Sequence, residues 1–173
     1  MTQALYILAA LFVGVTSAFQ ISMLAALGRS PRGPLEATWI SMLASVIGAT
    51  LAFNYRILKG DPPNVPAPFN NALMMLALCG AGLVALLISM RGIHWYYGLA
   101  GLAGFAYVIA ASFLGQRIGI ALFVSSVTAG TLLGSVVLDH FGAFGNAEQR
   151  LSFVRMAGVV ALMAGVVLVR SGR

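Results

Sequence analysis

Residues 118–138 read IGIALFVSSVTAGTLLGSVVL, a run without a charged side chain, and the next two residues are Asp139 and His140. A bilayer core of roughly 30 Å takes about 20 apolar residues in helical form. Every backbone N–H and C=O inside it must be paired within the segment, which a helix does and a lone strand cannot. The run therefore predicts a membrane helix that stops at Asp139. Five other stretches have the same character: Leu5–Leu27, Leu35–Phe53, Ala72–Met90, Trp95–Leu114 and Phe153–Val169. The expected fold is all-α, a polytopic membrane helix bundle forming one transmembrane domain over residues 1–173. It has six spans, or five if Ala72–Met90 does not cross.

Composition points the same way. Of 173 residues, 60% are hydrophobic and 8% charged, against about 25% charged in soluble domains. Ten basic and four acidic side chains are too few to cover a core in water. The net charge of +6 would suit nucleic acid only if the basic residues formed a face with interleaved aromatics. They instead punctuate the apolar runs singly or in pairs, which makes them anchors to anionic headgroups of the lipid bilayer and excludes nucleic acid as a partner. The single Cys79 rules out a disulfide within the chain. The first run is longer than the roughly 7–15 residues of a signal-peptide core and no basic residue precedes it, so it is expected to stay as a helix.

Between the runs stand GRSPRGP, the Pro-rich loop of residues 59–71 (KGDPPNVPAPFNN), RGIH, GQR and DHFGAFGNAEQR. Most are short, so consecutive helices should pack as antiparallel hairpins. Trp39, Tyr55, Trp95, Tyr96 and Tyr97 stand where an interfacial aromatic belt belongs.

Helices in lipid gain little from burying apolar surface against each other and associate through close packing at small residues. Gly98, Gly101 and Gly104 have such spacing, as do Ser126, Gly130 and Gly134, and Ala157, Ala161 and Gly165. The last helix is the candidate for contact with a second chain. Gln20 stands in mid-span, and its amide has more donors and acceptors than one backbone carbonyl satisfies, so it needs another helix, a water or a substrate. Ser125, Thr128, Thr131 and Ser135 are weaker signals, because a hydroxyl can bond back to its own helix. The candidate substrate cavity is lined by Gln20, Trp39, Ser41, Gly101, Gly104, Tyr107, Thr128 and Thr131.

Asp139 falls at a helix C-terminus, where the dipole disfavours a negative charge. It should pair with Arg91, Arg150 or Arg155, all on its side of the membrane, or accept backbone N–H groups in the Gly142–Gly145 turn. With His140 it marks a helix end rather than a relay. His94 and His140 lie in different loops with no further His or Cys at ligand spacing, so no metal site is expected. No phosphate-binding loop or nucleophile elbow is present; no catalytic residue and no cofactor is assigned, and the chain is not read as an enzyme.

The stretch WYYGLAGLAGFAYVIAASFLGQRIGIALFVSSVTAGTLLGSVVLDHFGAFG, followed by RLSFVRMAGVVALMAGVVLV, resembles the C-terminal two-thirds of the YdcZ-type bacterial inner-membrane proteins of the drug/metabolite transporter superfamily. GVTSAFQISMLAALGRSPRGPLEATWIS resembles their N-terminal part, and the likeness omits roughly Asn54–His94. It implies a multi-pass half-transporter of the bacterial inner membrane, moving an unidentified small molecule by alternating access. It also implies a homodimer, antiparallel as in the small multidrug exporters, or pairing with a homologous chain. The family's first helix usually carries an Asn four residues after its Gln, where this chain has Leu24. A Gln commonly follows the Ala-Gly of the fifth helix, where this chain has Thr131, and relatives usually show five spans, which makes Ala72–Met90 an extra one. A passive channel and a non-transporting assembly partner of another membrane protein are the alternatives.

Orientation follows from the basic residues of the two sides. With six spans, Arg56, Lys59, Arg117, Arg170 and Arg173 lie on the side of the termini, and Arg29, Arg32, Arg91, Arg150 and Arg155 on the other. With five spans the division is again equal. Such a balance predicts insertion in both orientations. A reporter fused to the C-terminus should give signal from both sides of the membrane; strong signal from one side alone would rule out dual topology.

Overall fold

The computed structural model describes residues 2–61, 63–150 and 152–171. The described residues form six helices long and apolar enough to cross a membrane. They are α1 (Thr2–Gly28), α2 (Pro34–Leu58), α3 (Ala72–Ser89), α4 (Leu99–Ile118), α5 (Ile120–His140) and α6 (Phe153–Ser171), with a 3-10 turn at Trp95–Gly98 leading into α4. The chain is an all-helical polytopic bundle.

Two helices run four or five residues past the C-terminal end read from the sequence, and both for polar reasons. α2 runs past Phe53 because Asn54 is buried and donates from Nδ2 to the Ala72 carbonyl at 3.1 Å. Arg56 then closes the end on Asp61 at 2.7 Å. GQR, Gly115–Arg117, is not a loop. The Arg117 guanidinium donates to the Tyr6 hydroxyl at 2.9 Å and lies 4.6 Å from the centre of the Phe113 ring. A long basic side chain can thus lie along the helix and carry its charge to the interface. The turn falls on Gly119 alone, at φ +81°, a conformation that costs glycine nothing and other residues dearly.

The helices fall into two compact units, Leu27–Phe105 and Met1–Ala26 with Ala106–Arg173. In the first, α2 buries Ala37, Ile40, Ser41, Ala44, Ile47 and Gly48, a one-faced helical spacing, and packs along α3. The start of α4 meets α2 so closely that a Cβ on Gly101 would strike the Ser41 carbonyl oxygen and lie 2.6 Å from Ala44 Cβ. Ser45 Oγ reinforces the crossing, sharing its hydrogen between the Gly101 carbonyl at 2.7 Å and the Ser41 carbonyl at 3.0 Å.

In the second unit α1 crosses α5 at small residues on both sides. A Cβ on Gly130 would strike the Leu11 carbonyl oxygen, and one on Gly14 the Val127 carbonyl oxygen. A Cβ on Gly134 would lie 2.8 Å from Ala18 Cβ. Glycine Cα hydrogens therefore point at carbonyl oxygens across the crossing in both directions, the arrangement that favours weak Cα–H···O bonds. Ile7, Ala10, Ile118, Leu122, Phe123 and Val127 pack into a core beside it.

α6 lies along α5 and buries Val159 and Val166. Gly158 and Gly165 face open space and Ala161 is exposed, so among the described residues of its own unit this small-residue stripe has no close neighbour. Leu8, Phe12, Leu51, Leu73, Val84, Val160 and Val167 are all exposed. Apolar surface on that scale is covered by lipid, not water.

Gly130→Ala should destabilise the protein by about 1–3 kcal/mol through forced separation of two backbones. Gly158→Ala, made into open space, should not. Thermal unfolding in detergent checks the contrast; equal losses in the two variants would contradict it.

Candidate functional site

α5 presents two faces with different work. Ser126, Gly130 and Gly134 are buried, the two glycines against α1. Thr128, Thr131 and Ser135 follow one another at helical spacing and, with Val127, Leu132 and Leu162 of α6, line a cavity of about 270 Å³. Thr131 Oγ1 donates to the Val127 carbonyl at 2.9 Å, and Ser135 Oγ to the Leu132 carbonyl at 3.0 Å. Back-bonding uses the hydroxyl hydrogen and leaves the oxygen lone pairs to accept from a solute. These two hydroxyls and the exposed Thr128 make a neutral, hydrogen-bonding strip in an apolar wall.

The other candidate residues are not on the wall of this cavity. Gln20 is half-buried on α1 and lines none of the cavities described here. Tyr107 is partly exposed with its ring 6.2 Å from that of Phe123, and Gly104 is half-buried on α4. Ser41 and Gly101 face each other in the α2–α4 contact, where the close backbone approach leaves no room for a solute. Trp39 is exposed and donates from Nε1 to Ser89 Oγ at 3.2 Å. The candidate residues thus divide between the two units, with Gln20, Tyr107, Thr128 and Thr131 in one and Trp39, Ser41, Gly101 and Gly104 in the other.

At the end of α5 the Asp139 carboxylate lies 3.6 Å from Arg155 of α6. This is an ion pair too long for a hydrogen bond. The Arg155 guanidinium also donates to Gln149, whose N–H donates to the Asp139 carbonyl at 2.8 Å. Acid and base thus close the α5–α6 hairpin, while the His140 ring packs edge-on to Phe141. Arg91 and Arg150 are exposed.

Sequence reading missed three polar ties. Asn146 Nδ2 reaches Ser22 Oγ at 2.6 Å and pins the α5–α6 loop to α1. Asn54 holds the start of α3. Arg32 donates to the Ser89 carbonyl at 2.6 Å and to the Arg91 carbonyl, closing the C-terminus of α3, where a cation is favoured by the dipole. The basic residue and the helix it caps are far apart in sequence, so the rule that places cations at helix ends could not pair them. No three His, Cys, Asp or Glu side chains among the described residues group as a metal site.

Six apolar helices, with polar ties gathered at their ends, define a multi-pass membrane protein. A family model described as "Putative inner membrane exporter, YdcZ" matches residues 69–168, more than half of the chain. The chain belongs to this family of inner-membrane exporters. The matched stretch takes in the whole of α3, which corrects the reading of Ala72–Met90 as an addition to the family pattern. Searches of the curated proteins and of the solved structures find no match.

Each partner of the Asp139–Arg155 pair is about a third exposed, so Asp139→Asn should cost no more than about 1 kcal/mol. Unfolding of the two single variants and of Asp139→Asn with Arg155→Gln checks this. A coupling energy well above that figure would contradict it.

Proposed function

We propose that this chain exports a small, neutral or weakly polar solute across the inner membrane by alternating access, as a homodimer. The observation that carries this reading is the hydroxyl strip of Thr128, Thr131 and Ser135 on α5, inside the stretch matched by the exporter family. A cavity of about 270 Å³ is slightly below the roughly 300–1,000 Å³ of sites that enclose drug-sized ligands. That size suits a site to which each of two chains contributes part. The small-residue stripe of α6, with open space at Gly158 and Gly165, is the surface on which a second chain could pack closely. Gln20 adds a second polar group on the unit that holds the strip.

Neutrality of the strip sets the substrate class. With no carboxylate lining the cavity, an organic cation would have no counter-charge there and would bear its desolvation cost unrelieved. Hydrogen-bond donors on a compact, mostly apolar solute match the free acceptor capacity of the hydroxyls.

A thermal-stabilisation screen on purified protein, followed by uptake into liposomes with and without a pH gradient, tests the proposal. Saturable flux is expected, and loss of one hydrogen bond in Thr131→Val should lower it about 2–10-fold without unfolding the protein. Non-saturating flux indifferent to the gradient would favour a passive pore, and flux unaffected by Thr131→Val and Gln20→Ala would remove the α5 strip from the pathway.

A further inference from the structure

The unit formed by Leu27–Phe105 holds a larger cavity that the transport reading does not use. It measures about 460 Å³ and lies among α2, α3 and the start of α4, with Ala44 and Ile47, Leu83 and Leu86, and Gly98 and Leu102 on its walls. The lining is apolar or glycine apart from Trp95, whose indole N–H is its one side-chain donor and stands at the mouth. Below Trp95 no side chain could orient a solute by hydrogen bonding, so the contents are selected by shape and by what lies at the mouth.

The mouth is at the membrane surface. Met90, Ile93 and Trp95 line the cavity at the end of α3 and the turn into α4, and Trp95 is 75% exposed within the aromatic cluster of His94, Trp95, Tyr96 and Tyr97. Aromatic groups of this kind sit at headgroup level. From there the wall descends about 10 Å along α3 from Met90 to Leu83, and the α2 lining residues Ala44 and Ile47 lie about 15–20 Å along their helix from its start at Pro34, at the helical rise of about 1.5 Å per residue. One leaflet of a hydrocarbon core is about 15 Å deep. Leu83 and Leu87 on α3 are themselves exposed, so the groove is open sideways to lipid.

Charge at the mouth is positive. Arg32 is drawn over the end of α3 by its bonds to the Ser89 and Arg91 carbonyls. Arg91 is exposed in the adjoining turn, and Arg29 is exposed just after α1. The acidic residue of this end is Glu36, in the first turn of α2. This end of the unit thus carries three guanidinium groups and one carboxylate.

We propose that this groove holds an acyl chain of an anionic phospholipid, with the headgroup phosphate on the Arg32 and Arg91 rim. The depth of the groove matches one leaflet, its apolar lining matches the chain, and its basic mouth selects the headgroup. A transported solute is a poorer fit, because nothing inside the groove could hold a polar group.

Trp95 reports on the site in a Trp39→Phe background, which leaves it as the single indole. The full-length protein is reconstituted in phosphatidylcholine vesicles containing a rising fraction of either brominated phosphatidylglycerol or brominated phosphatidylcholine. The anionic lipid should quench Trp95 at a mole fraction about fivefold lower, the advantage of roughly one basic residue at a lipid surface. Arg91→Gln should remove most of that preference, and raised salt should weaken it. Gly98→Leu should reduce quenching by both lipids, since its side chain would enter the groove toward Met90, whose flexible Sδ lies 3.2 Å from the added Cβ. Equal quenching by the two lipids, a preference that survives Arg91→Gln, or quenching unchanged by Gly98→Leu would overturn the proposal.

Discussion

Close approach of helix backbones at small residues is the constraint on which the rest of this structure depends. Lipid tails are as apolar as leucine, so burying a leucine between two membrane helices gains little over leaving it in the bilayer. What remains is van der Waals contact and polar bonding at short range, and both require small side chains at the crossing. Gly14 and Ala18 against Gly130 and Gly134, and Ser41, Ala44 and Gly48 against the start of α4 at Gly101, Leu102 and Phe105, provide them in the two units separately. In each case one substituted hydrogen would meet a carbonyl oxygen or a neighbouring side chain.

That constraint also shapes the candidate site. Since Ser126, Gly130 and Gly134 commit one face of α5 to α1, the hydroxyls of Thr128, Thr131 and Ser135 are turned elsewhere, to the cavity beside Leu162. A single helix is both the structural seam and the wall of a cavity, so a change on one face can register on the other. The polar groups at the helix ends do different work. Asp139 with Arg155, Arg32 over the end of α3, and Asn146 on Ser22 fix where helices stop and how loops lie, and they leave the interior almost free of charge.

Much of this was legible in the sequence, and the illegible parts have common physical causes. Six apolar runs of about the length that crosses a bilayer core announce six helices without reference to partners. The four-residue interval of Ser126, Gly130 and Gly134 announces a packing face, because its period is intrinsic to one helix. Which helix it meets is a property of two segments, and Gly14 and Ala18 are not distinguishable as its partners among the other small residues of α1. Arg117 reads as a loop residue until Tyr6 is found beside it, and Ser41 reads as a cavity residue until its carbonyl is found against Gly101. Thr128, Thr131 and Ser135, each a weak signal in isolation, share a face by their spacing, but that this face lines a cavity depends on Leu162 of α6.

The central claim is that the hydroxyl face of α5 is a water-accessible surface reached in turn from both sides of the membrane. Accessibility to a membrane-impermeant maleimide tests it most directly, with single cysteines placed at Thr128, Thr131 and Ser135 in a Cys79→Ala background and Val108→Cys, at an exposed apolar position of α4, as the lipid-facing control. Labelling of the three hydroxyl positions from either side, with the control protected, is the predicted result. Protection of all three positions from both sides, at the level of the Val108 control, would contradict the account.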